Sequence, residues 1–191
     1  MNNNVNRRNI TFILALVGSI LAVFLLEFVA PKEVLSHGLV PRTRRGLVGI
    51  ATMPFLHANL AHLSGNLVSL VVLLAFMFVF HSKKLIVDVI TIAFVGGLLL
   101  WLFGRPATHV GASGLIYGLA GFMIVTGIAH RRFWEVVGAV AVAVLYGNSL
   151  LWGLLPLQPG ISWDGHFAGA VGGAIVGLCS RPFYGEQRIT T

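Results

Sequence analysis

Apolar residues run almost unbroken through six stretches of this chain, at about residues 10–30, 57–80, 85–103, 112–129, 133–155 and 165–180. Each is close to the roughly 20 residues an α-helix needs to cross a bilayer. Polar and basic residues gather in the breaks between them. The pattern predicts an all-α polytopic membrane protein, a bundle of six transmembrane helices with no soluble domain, no internal repeat and no low-complexity tract. On this reading residues 1–9 are an N-terminal tail, 10–180 the membrane domain and 181–191 a C-terminal tail. The first apolar run has the basic front of a signal peptide, but it is long and lacks a small-residue cleavage site, so it is expected to remain as the first span.

Composition agrees with this pattern. Hydrophobic residues make up 57% of the chain and charged ones only 10%, with a mean hydropathy of +0.88. A water-soluble domain of this size cannot hide that much apolar surface. The net charge of +7 does not point to nucleic acid, because the basic residues form short clusters between apolar runs and so carry topology. With the N-terminus in the cytoplasm, Arg7, Arg8, Lys83, Lys84, Arg131, Arg132, Arg181 and Arg188 fall inside, eight of the thirteen cations. Lys32, Arg42, Arg44, Arg45 and Arg105 fall outside, four of them in a long first loop where the bias counts for less. Both termini are expected in the cytoplasm, in a bacterial plasma membrane. The single cysteine, Cys179, excludes an intramolecular disulfide and is expected to pack near a helix end. Glu27, Asp88 and Glu135 fall near span ends, where a charge reaches headgroups at little cost. The first loop, residues 31–56, reads either as a prop lying in the interface or as an ordinary exposed loop.

Candidate chemistry centres on residues 109–122, HVGASGLIYGLAGF. Ser113 stands in a Gly-x-Ser-Gly turn that opens the fourth apolar stretch. Its hydroxyl is therefore expected at a helix N-terminus, where free N–H groups and a partial positive charge favour an oxyanion. Taken alone, the motif favours the plainer reading, in which Gly111, Gly114 and Gly118 are packing glycines and Ser113 an ordinary helix cap, because small residues crowd membrane helices for packing reasons. Threading supplies the distinction: the second, fourth and sixth spans run in one direction, so His57, His62, Asn66, Ser113 and His166 converge at one depth. Polar groups within spans are costly and usually face the protein interior. His62 and Asn66, four apart, share a helix face and both can donate, so with the Ser113 N–H they could form an oxyanion hole. His57 is expected to tie the first loop to the second span. The histidines lack the spacing and the cysteine or carboxylate partners of a zinc site, and no metal or cofactor is expected.

The sixth span repeats glycine at Gly165, Gly169, Gly173 and Gly177, and the fourth offers Gly114, Gly118 and Gly121. These bare faces predict close backbone packing that would bring Ser113 beside His166. A serine next to a histidine is an activatable nucleophile. Tyr117, one turn beyond Ser113, is placed to stack on the His166 ring in lieu of a third, carboxylate member. Asp164 is read as the N-cap of the sixth span rather than as that member.

With HANLAHLSGN (His57, His62, Asn66), GASGLIYG (Gly111, Ser113, Gly114, Tyr117) and GHFAGAVGG (His166, Gly169, Gly173) in this order, the chain from about Leu47 onward resembles the rhomboid family of intramembrane serine proteases in its basic six-helix form. The resemblance implies a Ser–His dyad that cleaves transmembrane segments of other proteins without cofactor. Ser113 would be the nucleophile and His166 the general base, with His62, Asn66 and the Ser113 N–H holding the oxyanion. The Trp-Arg pair often seen in the family's first loop is replaced by RTRRGLVG, and Gly165 stands where alanine often precedes the histidine. The expected partners are transmembrane protein substrates and the lipid bilayer, not nucleic acid. The loop LPLQPGISW, with Pro156 and Pro159, would cover the opening, the fifth span would gate it, and Trp152 and Trp163 are assigned to the interfacial aromatic belt rather than the gate. The alternatives are a rhomboid-like protein that binds transmembrane helices without cutting them, which the presence of both Ser113 and His166 disfavours, and a small transporter, for which internal repeats are missing.

Overall fold

The computed structural model describes residues 3–131, 133–155 and 161–180, with the side chains of 130, 135, 139 and 145–151 left aside. Pro156, Pro159, Arg132, Arg181, Arg188, the Glu135 side chain and the C-terminal tail therefore lie outside the described residues. Among those described, helices follow one another as α1 (Asn3–Val29), α2 (Pro31–Leu35), α3 (Arg44–Thr52), a 3₁₀ turn (Met53–Phe55), α4 (Leu60–Phe80), α5 (Leu85–Phe103), α6 (Ser113–His130), α7 (Phe133–Gly153) and α8 (Trp163–Cys179). The six long helices carry the six apolar stretches, and the chain is an all-α polytopic membrane bundle. By length and apolarity α1, α4 and α5 each suffice to cross a bilayer.

The bundle is built around α6. Leu115, Ile116, Tyr117, Leu119, Ala120, Phe122 and Met123 are all buried, and α6 packs against α8, α7, α5 and α4. A helix apolar on every side and covered on every side is the innermost one. The polar turn at its start is thereby fixed by the packing of the whole bundle. Around it the outer faces remain apolar and open, as at Leu14, Phe28, Phe103 and Leu178, which is the surface a hydrocarbon solvent requires.

Several expected details are corrected. α1 begins at Asn3 rather than near residue 10; buried Asn9 donates from Nδ2 to the Ser82 carbonyl at 2.6 Å, so the polar front of this helix docks on the α4–α5 turn. α4 begins at Leu60, because Asn59 caps it by accepting the His62 N–H at 2.8 Å. His57 consequently lies ahead of the helix, not on it. Glu27 and Asp88 do not reach for headgroups: both are buried. Glu27 Oε1 accepts the His57 backbone N–H at 2.9 Å, and Asp88 pairs with Lys84 one turn earlier at 3.4 Å.

Nor is the first loop an ordinary exposed one. Thr43 caps α3 by accepting the Gly46 N–H at 2.9 Å, and Leu39, Ile50 and Met53 form a small core with Leu100 of α5 and Ala168 of α8. Arg42, at φ 58°, donates to the carbonyls of Leu102 and Gly104 at 3.2 and 2.8 Å. These are free acceptors at the end of α5, which a guanidinium satisfies well. Trp101 Nε1 donates in turn to the Thr43 carbonyl at 2.9 Å. An arginine and a tryptophan thus do meet at this loop, but from different elements.

Candidate active site

The chain enters α6 through Gly111, whose φ of +113° is a conformation L side chains rarely adopt. Its N–H donates to the Met53 carbonyl at 2.9 Å, which seats the turn on the 3₁₀ segment of the first loop. Space also demands glycine: a β-carbon here would come within 2.7 Å of His62 Nε2 and 3.2 Å of Asn66 Nδ2. His62 and Asn66 therefore lie directly against the backbone that leads into Ser113.

Ser113 is the first residue of α6. Its hydroxyl does not cap the helix but meets His166 Nε2 at 2.8 Å. His166 Nδ1 lies 2.8 Å from the Gly153 carbonyl at the end of α7. A carbonyl oxygen only accepts, so Nδ1 carries the ring hydrogen and donates it. In the neutral ring that leaves Nε2 as the acceptor for the Ser113 hydroxyl. The Tyr117 ring stacks on the imidazole with centroids 4.2 Å apart and planes 8° from parallel. The ring is thus held on two sides, by a hydrogen bond in its plane and an aromatic face above it. Gly153 went unremarked in the sequence, because every residue has a carbonyl and none announces where it points. The only signal is that a side chain there would collide with the Tyr117 hydroxyl.

The glycine faces set the separation of serine and histidine. A β-carbon at Gly169 would strike the Gly114 carbonyl and one at Gly173 the Gly118 carbonyl. In the other direction, a β-carbon at Gly121 would approach the Ala170 carbonyl to 2.5 Å. Backbones this close are possible only where side chains are absent. Gly165 departs from the expected stripe and faces the Ser162 side chain instead, and a second bare face, Gly172 against Gly96, packs α8 on α5.

Asn66 is buried, and its Nδ2 has no hydrogen-bond partner among the described residues. A buried amide donor left unpaired costs free energy of about 1–3 kcal/mol. This donor sits beside Gly111, two residues from Ser113. His57 stands farther out: its ring lies edge-on to His62 with centroids 5.2 Å apart. Its backbone N–H donates to Glu27 of α1, so His57 joins the first loop to α1 as well as meeting α4 through its ring. Burial, and secondarily the neighbouring His62, pushes the His57 imidazole down to about 4, which keeps it neutral near pH 7.

Asp164 is not the N-cap of α8. Ser162 holds that position, and Asp164 accepts from the Arg105 backbone N–H at 2.8 Å and from Arg105 Nη2 at 3.0 Å. His109 lies buried beside it, its Nδ1 2.6 Å from Ser162 Oγ and its Nε2 3.2 Å from the Arg105 carbonyl. Together these residues latch the segment before α6 to the start of α8, just ahead of Ser113 and His166.

A family model described as the Rhomboid domain matches residues 44–183. Uncharacterized proteins of Mycobacterium bovis and Mycobacterium tuberculosis are each 35% identical over 182 residues, covering 90% of this chain and 75% of theirs. One from Mycobacterium leprae is 37% identical over 147 residues, 71% of this chain and 57% of its own length.

Proposed function

This chain belongs to the rhomboid family, and from that premise we propose that it is an intramembrane serine endopeptidase, hydrolysing peptide bonds in or near transmembrane segments of other membrane proteins. The observation that carries the reading is the 2.8 Å contact between Ser113 Oγ and His166 Nε2, with the histidine's other nitrogen committed to the Gly153 carbonyl. In that tautomer Nε2 takes the serine proton as Oγ attacks the substrate carbonyl carbon. The oxyanion that forms accepts from the Ser113 N–H, Asn66 Nδ2 and His62. The imidazolium then returns its proton to the leaving amine as the C–N bond breaks. Water completes the cycle by attacking the acyl ester, with His166 again the base. No cofactor takes part. Both termini face the cytoplasm of a bacterial cell and the site opens near the outer face, where water is at hand.

A fluorophosphonate probe tests the reading. The detergent-purified protein should label covalently, and Ser113→Ala and His166→Ala should each abolish the label. Labelling that survives Ser113→Ala would refute it. A folded wild-type protein that stays unlabelled by a probe small enough to enter would turn the reading toward a rhomboid-like protein that holds helices without cutting them. Asn66→Ala carries a finer expectation: loss of one oxyanion donor should lower kcat by about 10²–10³ with KM little changed. A wild-type kcat in that variant would remove Asn66 from the oxyanion site.

A further inference from the structure

A groove of about 390 Å³ runs between α5 and α8, its walls formed by Leu99, Phe103, Trp163, Phe167, Ala168 and Val171. Phe103 and Phe167 stand 79% and 56% exposed along it. Hydrocarbon would cover such a surface anywhere in a bilayer; what distinguishes this groove is its end. There the Arg105 guanidinium lies 5.2 Å from the centroid of the Trp163 ring, an aromatic–cation pair suited to the membrane–water boundary. Arg42 reaches the same rim, anchored on the carbonyls of Leu102 and Gly104. Asp164, the acid bonded at this rim among the described residues, has both oxygens committed to Arg105. Two guanidinium groups against one carboxylate leave a surplus positive charge. The Arg105 side chain is half exposed, and Arg42 too is exposed, so each retains N–H donors turned to its surroundings. Planar forks of this kind match phosphate oxygens in pairs.

We infer that this rim and groove form a binding site for an anionic phospholipid, its phosphodiester held between Arg42 and Arg105 and one acyl chain lying along α5 and α8. Basic pockets between transmembrane helices select acidic headgroups by the same combination of charge and apolar wall. The inference does not depend on the protein being a protease.

The test places the purified full-length protein in phosphatidylcholine vesicles containing a trace of phosphatidylglycerol with a photoreactive acyl chain. Adducts should map to the segments around Phe103, Phe167 and Val171. Unlabelled phosphatidylglycerol should compete about fivefold or more better than phosphatidylcholine, the factor expected of one added basic contact. Glycerol phosphate, which has the charge without the chain, should not compete. Arg42→Gln with Arg105→Gln should erase the preference and the corresponding lysine pair should keep it. Val171→Trp, which fills the groove and leaves both arginines in place, should lose the adducts, and it provides the test should the glutamine pair fail to fold. Equal competition by the two lipids, a preference that survives the glutamine pair, or displacement by glycerol phosphate would each overturn the inference.

Discussion

Cleavage of a transmembrane substrate is expected to fall by about 10⁴–10⁶ in Ser113→Ala, by a similar factor in His166→Ala, and no further when both are replaced together. The reason lies in the 2.8 Å contact between the two side chains. Without the hydroxyl the base has no proton to take, and without the base the hydroxyl is a poor nucleophile at neutral pH. Each single change therefore removes the same event, and the second has nothing left to remove. Two independent contributions would instead multiply. The measurement is kcat/KM for the four proteins on one reporter substrate in proteoliposomes. A double variant slower than either single one by a further factor of about 10³ would show that serine and histidine act separately. Tyr117 belongs to another class. Its ring stacks on the imidazole without touching the proton in flight, so its role in the proposed reaction is orientation.

Much of this arrangement was legible in the sequence, for reasons that differ from residue to residue. The spans could be read because a bilayer demands long apolar runs and little else imitates them. The meeting of Ser113 and His166 could be anticipated because the stripe on α8 includes Gly169 and Gly173, which face Gly114 and Gly118 on α6, and only bare backbone permits such an approach. What escaped has its cause in contacts that span distant parts of the chain. Glu27 has the sequence context of a surface charge, being close to the end of a span, yet the His57 N–H thirty residues away meets it in the interior. Asp164 stands where an N-cap would, but Arg105 claims it across fifty-nine residues. The first loop hid two short helices because its charges interrupt each apolar piece, and the small core that Leu39, Ile50 and Met53 begin there is completed by Leu100 and Ala168. Gly153 contributes a carbonyl, which no sequence pattern can reveal.

Gly173→Val is expected to separate α6 from α8 and with them the serine from the histidine. The β-carbon alone would overlap the Gly118 carbonyl, and backbone, unlike a flexible side chain, has no rotamer into which to retreat. The helices must therefore move apart along their length. Overpacking of this kind costs about 3 kcal/mol or more where relief requires backbone shifts, a fall in Tm of roughly 10 °C for a chain of this size. The start of both helices moves with the crossing, so fluorophosphonate labelling should drop even in protein that remains folded at 25 °C. Gly18→Ala in α1 is the matched control: nothing lies within 4 Å of a β-carbon there, and the change should leave Tm and labelling as they were or raise Tm slightly through helix propensity. If Gly173→Val melted with the wild type and labelled at the same rate, the close approach of α6 and α8 could not be what sets the distance between Ser113 and His166.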